Sequence, residues 1–150
     1  METGIMPDAR VPRDEEARLV FVYGTLRRGG SNDINRFVPP PVFVGGACVH
    51  GHLYDLGAYP GLLLTGGEDS GRSAVVGEVY AVHARLEPQL DALEGIHGRS
   101  DDEYVRRHIP VELGGRSCLC LVYEINPEYV RGRPLIDHGD WIQHAAERPA

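Results

Sequence analysis

Apolar residues along this chain fall into short runs and alternations, and only one segment carries helical spacing. The first run, Leu19-Val20-Phe21-Val22-Tyr23, is unbroken, which is the pattern of a strand buried on both faces. Residues 1–18, before it, have little apolar content and no period. They read as a flexible extension, with 19–150 as the folded domain. Gly24 to Gly30 breaks the run. Ser31 or Asn32 then predicts the cap of a short helix through Phe37, ended by Pro39-Pro40-Pro41.

Residues 42–56 read as a strand bent by Gly45, Gly46 and Gly51. A turn around Tyr59-Pro60-Gly61 leads into a short buried strand, Leu62-Leu63-Leu64, followed by a polar loop from Thr65 to Gly71. Ser73 to His83 is a strand. Residues 103–113 and 116–125 are two more, and Gly114-Gly115 between them signals a hairpin. The one clear helix is ARLEPQLDALEG, with Pro88 in its first turn and Gly95 just past its last. Leu90, Leu93 and Glu94 share a face there by their spacing. After Asn126 the chain is irregular, with one helical turn near Trp141 to His144. Five or six short strands and one inserted helix predict an α+β fold: a small, mixed, mostly antiparallel β-barrel.

Composition narrows the function classes. Glycine and proline, 19 and 11 of 150 residues, rule out a helix bundle. The formal charge of −7 lacks the basic face that nucleic acid or an anionic membrane requires. No apolar run approaches a membrane span, and the charged start has no secretory h-region. With three cysteines, Cys48, Cys118 and Cys120, this points to a reducing, cytoplasmic setting.

Three features could carry chemistry. The first is the turn Gly24-Thr25-Leu26 after a buried strand, whose exposed N–H groups can cradle an anion or simply connect two elements. The second is Glu94. It lies on the face of Leu90 and Leu93 at a helix C-terminus, where desolvation and the dipole both raise a carboxyl pKa and suit it to general acid–base work. The alternative is a structural glutamate reaching solvent or Arg106. The third is metal, at Cys118/Cys120 and His50/His52. Both pairs have strand spacing rather than the wider, turn-based spacing of zinc sites, so no metal and no disulfide are expected. Neither a GxGxxG nor a P-loop motif is present, so no nucleotide cofactor is indicated.

Taken in order, these segments resemble the γ-glutamylcyclotransferase-like superfamily. Val22-Tyr23-Gly24-Thr25-Leu26-Arg27-Arg28-Gly29 resembles its opening strand and substrate loop. Tyr59-Pro60-Gly61-Leu62 resembles its YPGL turn, and Val76-Gly77-Glu78-Val79-Tyr80 its V-x-G-E-x-Y strand. Leu90-Asp91-Ala92-Leu93-Glu94-Gly95 with Tyr104-Val105-Arg106-Arg107 resembles the LDxxEG…YxR segment, whose glutamate is the catalytic acid–base. Cys120-Leu121-Val122-Tyr123 resembles a strand ending in tyrosine, and Gly139-Asp140-Trp141 the closing GDW. YGTL, the short chain and GDW place the resemblance nearest the γ-glutamylamine cyclotransferase and AIG2-like branch. The loop His97 to Glu103, with Asp101-Asp102-Glu103 before Tyr104, departs from the pattern.

The resemblance implies an enzyme without cofactor that acts on a small γ-glutamyl compound, releasing 5-oxoproline and a free amine. It implies Glu94 as catalytic residue, and Tyr23, Gly24, Thr25, Leu26, Tyr104 and Tyr123 as substrate-binding residues. Tyr104 and Tyr123 are expected to orient Glu94 or the substrate by their hydroxyls, or else to pack at the core edge. A γ-glutamyl amine or simple dipeptide is the expected substrate, ahead of glutathione. The alternative is a non-catalytic small-ligand module on the same fold.

Overall fold

The computed structural model describes residues 17–65 and 74–148. Among the described residues six strands form one sheet: β1 (Ala17–Val22), β2 (Val42–Asp55), β3 (Pro60–Leu64), β4 (Ala74–His83), β5 (Tyr104–Leu113) and β6 (Arg116–Ile125). Their order across the sheet is β3-β2-β4-β1-β6-β5. Every pairing is antiparallel except β1 with β6, which is parallel. The sheet curls so that β3 packs against β6 and β5 against β2, closing it towards a barrel.

The continuous run in β1 is buried on both faces, as its composition predicts. Val20 and Val22 face Tyr80, Leu86, Leu90 and Tyr104, while Phe21 faces Val49, Leu62, Val79 and Trp141. Each such side chain, fully removed from water, contributes about 1.5–3 kcal/mol. β1 begins at Ala17, two residues earlier than predicted, because Ala17 and Arg18 pair with His83 and Val82 of β4. The rest of the proposed extension, and most of the loop proposed for 65–71, lie outside the described residues.

Other boundaries follow the sequence closely. β2 carries a bulge between Phe43 and Gly45, beside the first of the predicted bending glycines. β5 and β6 pair from Leu113↔Arg116 outward, which makes Gly114-Gly115 a two-residue hairpin turn, both at positive φ. The helix predicted over 31–37 is only a 3₁₀ turn, Ile34–Arg36. Its cap is Asp33, whose side chain accepts from the Asn35 N–H. The tail forms a full helix, α2 (Trp141–Glu147), capped by Asp140.

The main helix, α1 (Glu87–Leu93), is entered through a 3₁₀ turn at Ala84–Leu86. It ends in a Schellman arrangement: Gly95 N–H donates to Ala92 O and Ile96 N–H to Asp91 O. Gly95 sits at φ 70°, a conformation that glycine adopts without a Cβ penalty. This stop sets Glu94 as the C-terminal cap residue of α1. No helix among the described residues is long and apolar enough to cross a membrane.

Candidate active site

A cavity of about 240 Å³ opens where the end of β1 meets the end of α1. Its size suits a small amino-acid derivative rather than a drug-sized ligand. Tyr23, Gly24, Thr25, Leu26, Glu94, Tyr104 and Tyr123 all line it, so residues spread over a hundred positions of sequence meet in one pocket. Sequence reasoning missed Asn32, Tyr59, Pro60 and Glu103 as lining residues.

The loop after β1 is held by donors from elsewhere along its length. Arg27 N–H donates to Gly24 O, Asn32 N–H to Thr25 O and Ile34 N–H to Leu26 O. The N–H groups of Gly24, Thr25 and Leu26 have no intramolecular acceptor among the described residues. Such groups on a pocket wall can take an anion. A Cβ on Gly24 would come within 2.7 Å of Pro60, so only glycine lets the loop lie against the Tyr59-Pro60 turn.

Arg27 anchors this loop from below. Its Nε meets Glu78 Oε2 at 2.9 Å and its Nη1 meets Asp140 Oδ1 at 2.8 Å, with all three side chains largely buried. Glu78 also accepts from the Arg28 N–H and the Tyr80 hydroxyl. Three separated sequence motifs thus converge on one ion-pair cluster behind the pocket. Glu78 serves that cluster and does not line the cavity.

Glu94 is half-buried, and its carboxyl meets no hydrogen-bond donor among the described residues. Burial pushes its pKa up, the nearby charge of Glu103 adds to this, and together they bring it to about 7. At the end of α1 the carbonyls of Leu90, Asp91 and Ala92 accept from the N–H groups of Glu94, Ile96 and Gly95. Of the apolar face expected from spacing, Leu90 is fully buried but Leu93 is 44% exposed, lying on the rim beside Glu94. Arg106, the expected structural partner, is occupied elsewhere: it pairs with Glu87 and with Asp91, the latter at 2.7 Å.

The tyrosines do not hold Glu94. Tyr123 donates to Asp91 Oδ1 at 2.6 Å, Tyr104 to Pro60 O at 2.7 Å and Tyr23 to Tyr123 O at 2.7 Å. These long-range partners fix the pocket wall, and the expected orientation of Glu94 by Tyr104 and Tyr123 is not present. Burial raises the pKa of all three phenols, helped at Tyr123 by the bond to Asp91, so each remains a protonated donor.

The acidic loop before Tyr104 divides its labour. Asp102 accepts from the N–H groups of His97, Gly98 and Arg99, closing the turn after α1. These bonds hold its carboxyl below the usual carboxylate range. The Asp101 carbonyl accepts from the Tyr129 hydroxyl. Glu103 turns into the pocket and accepts a 2.6 Å bond from the Tyr59 hydroxyl, which pushes the Tyr59 pKa up to about 12. The unusual DDE run was the available signal for Glu103, but nothing local distinguishes its three acids.

Among the described residues no group of three or more His, Cys, Asp or Glu side chains could hold a metal. Cys118 and Cys120 face the same apolar cluster as Val111 and Trp141.

Known proteins resemble this chain in sequence and fold. A family model described as gamma-glutamyl cyclotransferase, AIG2-like, matches residues 20–143. A Vibrio cholerae protein named "Putative gamma-glutamylcyclotransferase" is 38% identical over 133 residues, covering 83% of this chain and 96% of its own. The gamma-L-glutamyl-butirosin B gamma-glutamyl cyclotransferase of Niallia circulans is 32% identical over 136 residues, covering 85% and 80%. The crystal structure of a Mus musculus AIG2-like protein superposes with a TM-score of 0.65 at 27% identity, covering 84% of this chain and 88% of that one.

Proposed function

This chain belongs to the gamma-glutamyl cyclotransferase, AIG2-like family, and on that premise we propose that it releases 5-oxoproline and a free amine from a small γ-glutamyl amine or peptide. The observation that carries the reading is Glu94: a carboxyl on the pocket wall, without a donor among the described residues, with its pKa raised by burial to about 7. A group poised there can take a proton and return it at neutral pH.

The α-nitrogen of the substrate attacks its own γ-carbonyl carbon. A ring C–N bond forms and the amide C–N bond to the leaving amine breaks. The α-ammonium begins with three hydrogens and the lactam nitrogen keeps one, so two protons pass to the leaving nitrogen, which departs as an ammonium. Glu94 relays them by accepting from the attacking nitrogen and donating to the leaving one. The N–H groups of Gly24 to Leu26 hold the substrate's α-carboxylate or the developing oxyanion. Fixing a flexible chain in its ring-closing shape supplies several kcal/mol of the barrier reduction. The reaction needs no cofactor and runs on a soluble small molecule.

Incubation with a panel of γ-glutamyl amines, γ-glutamyl dipeptides and glutathione, with 5-oxoproline measured, tests this. Release from the amines or dipeptides, ahead of glutathione, is expected. Tight binding of the same compounds without any release would instead favour a ligand-binding module.

A further inference from the structure

The pocket's charges do not balance those of a γ-glutamyl group alone. That group brings one carboxylate and one ammonium. The loop N–H groups answer the carboxylate, and Glu94 answers the amine. A second acid, Glu103, is left over: among the described residues no Lys, Arg or His lines the cavity, and Arg133, whose charge reaches Tyr59, stands outside the lining and forms no ion pair with Glu103. Its place is fixed by the 2.6 Å bond from Tyr59, a side chain itself on the wall. One oxygen of Glu103 is engaged there, and its carboxyl has no basic partner among the described residues. Arg106 and Arg107, on the strand that follows, are committed to Glu87, Asp91 and Glu124.

We propose that the Tyr59–Glu103 pair is a specificity element that selects γ-glutamyl compounds whose leaving amine carries a second, positively charged group. This rests on the cyclotransferase reading and adds the class of leaving group. A carboxylate held by a phenol is a fixed acceptor for an ammonium, and in a partly enclosed pocket such a pair discriminates more strongly than it does in open water.

A matched pair of substrates isolates the charge: the mono-γ-glutamyl amide of diaminobutane and that of n-pentylamine. They have the same length and differ by an ammonium in place of a methyl. The wild-type protein should favour the diamine conjugate by about tenfold in kcat/KM, or roughly 1.4 kcal/mol. Glu103→Gln keeps an oxygen that can accept from Tyr59 and removes the charge, and should bring the ratio close to one. The ratio cancels any change in Glu94 itself, because both substrates meet the same Glu94, and a purely structural Glu103 would leave it unmoved. A wild-type ratio near one, or a ratio unchanged by Glu103→Gln, overturns the proposal. Calorimetric binding of both conjugates to Glu94→Gln, and to Glu94→Gln with Glu103→Gln, repeats the comparison without turnover. Tighter binding of the diamine conjugate, lost with Glu103→Gln, supports the proposal even if 5-oxoproline never forms. Equal affinity, or no binding of either, overturns it. Absent 5-oxoproline by itself counts against the cyclotransferase reading and not against Glu103.

Discussion

Tyr123 gives its hydroxyl to Asp91, at 2.6 Å, and not to Glu94 three residues further along the same chain segment. That choice leaves one carboxyl of the α1 terminus locked in place and the other without a donor among the described residues. Asp91, also held by Arg106, fixes the end of the helix against β5 and β6.

Tyr123→Phe should therefore act on stability before chemistry. Losing a buried hydrogen bond to a charged acceptor costs about 1.5–3 kcal/mol. Thermal melts should show that loss, while the pH dependence of turnover keeps its midpoint. A shifted midpoint would mean that Tyr123 touches the proton-transfer step.

Glu94 should make the folded protein less stable as pH rises. Its pKa is about 7 in the folded state against an ordinary 4.5, so the folded state binds the proton more tightly. The favourable contribution is complete below about pH 4.5 and is lost as pH climbs through about 7. Glu94→Gln removes this penalty. Its unfolding free energy should gain on the wild type between pH 5 and pH 8, by an amount on the order of 1–2 kcal/mol after solvent screening, with a matching rise in relative melting temperature. Parallel melting curves at the two pH values would contradict the raised pKa.

Glu103 should set where activity switches on. The basic form of Glu94 is needed to take the first proton, so kcat/KM should rise through a midpoint near pH 7. Glu103→Gln removes a negative neighbour and should move that midpoint to lower pH. A midpoint unmoved in the variant would show that burial alone raises Glu94.

Arg27 should be structural and costly to lose. Arg27→Met leaves Glu78 and Asp140 without their shared cation in a largely buried setting, a change worth about 3–5 kcal/mol. Denaturant unfolding should show it, with activity failing as the loop above loosens.

What the sequence made legible is what is local. The β1 run, the Gly114-Gly115 hairpin and the Pro88/Gly95 brackets each encode a backbone preference within a few residues, and each is present. Glu94 was readable because helix spacing and a following glycine fix where α1 stops. The partners of the tyrosines were not, because Tyr23 meets Tyr123 across a hundred residues and Tyr104 meets Pro60 across forty-four. Glu103 stayed hidden for the same reason: only the approach of Tyr59 separates it from Asp101 and Asp102. The helix expected over 31–37 shrank to a turn because Asp33, placed to cap it, lies only a few residues before Pro39-Pro40-Pro41.

Turnover of a single γ-glutamyl amine by Glu94→Gln, with the melting temperature measured on the same preparation, tests the central claim most directly. The amide keeps the shape of the side chain and removes its proton transfer. A loss of about 10²–10⁴-fold in 5-oxoproline release is expected, in a protein that stays folded and still binds 5-oxoproline. Near-normal turnover by that folded variant would contradict the assignment of Glu94 as the proton relay.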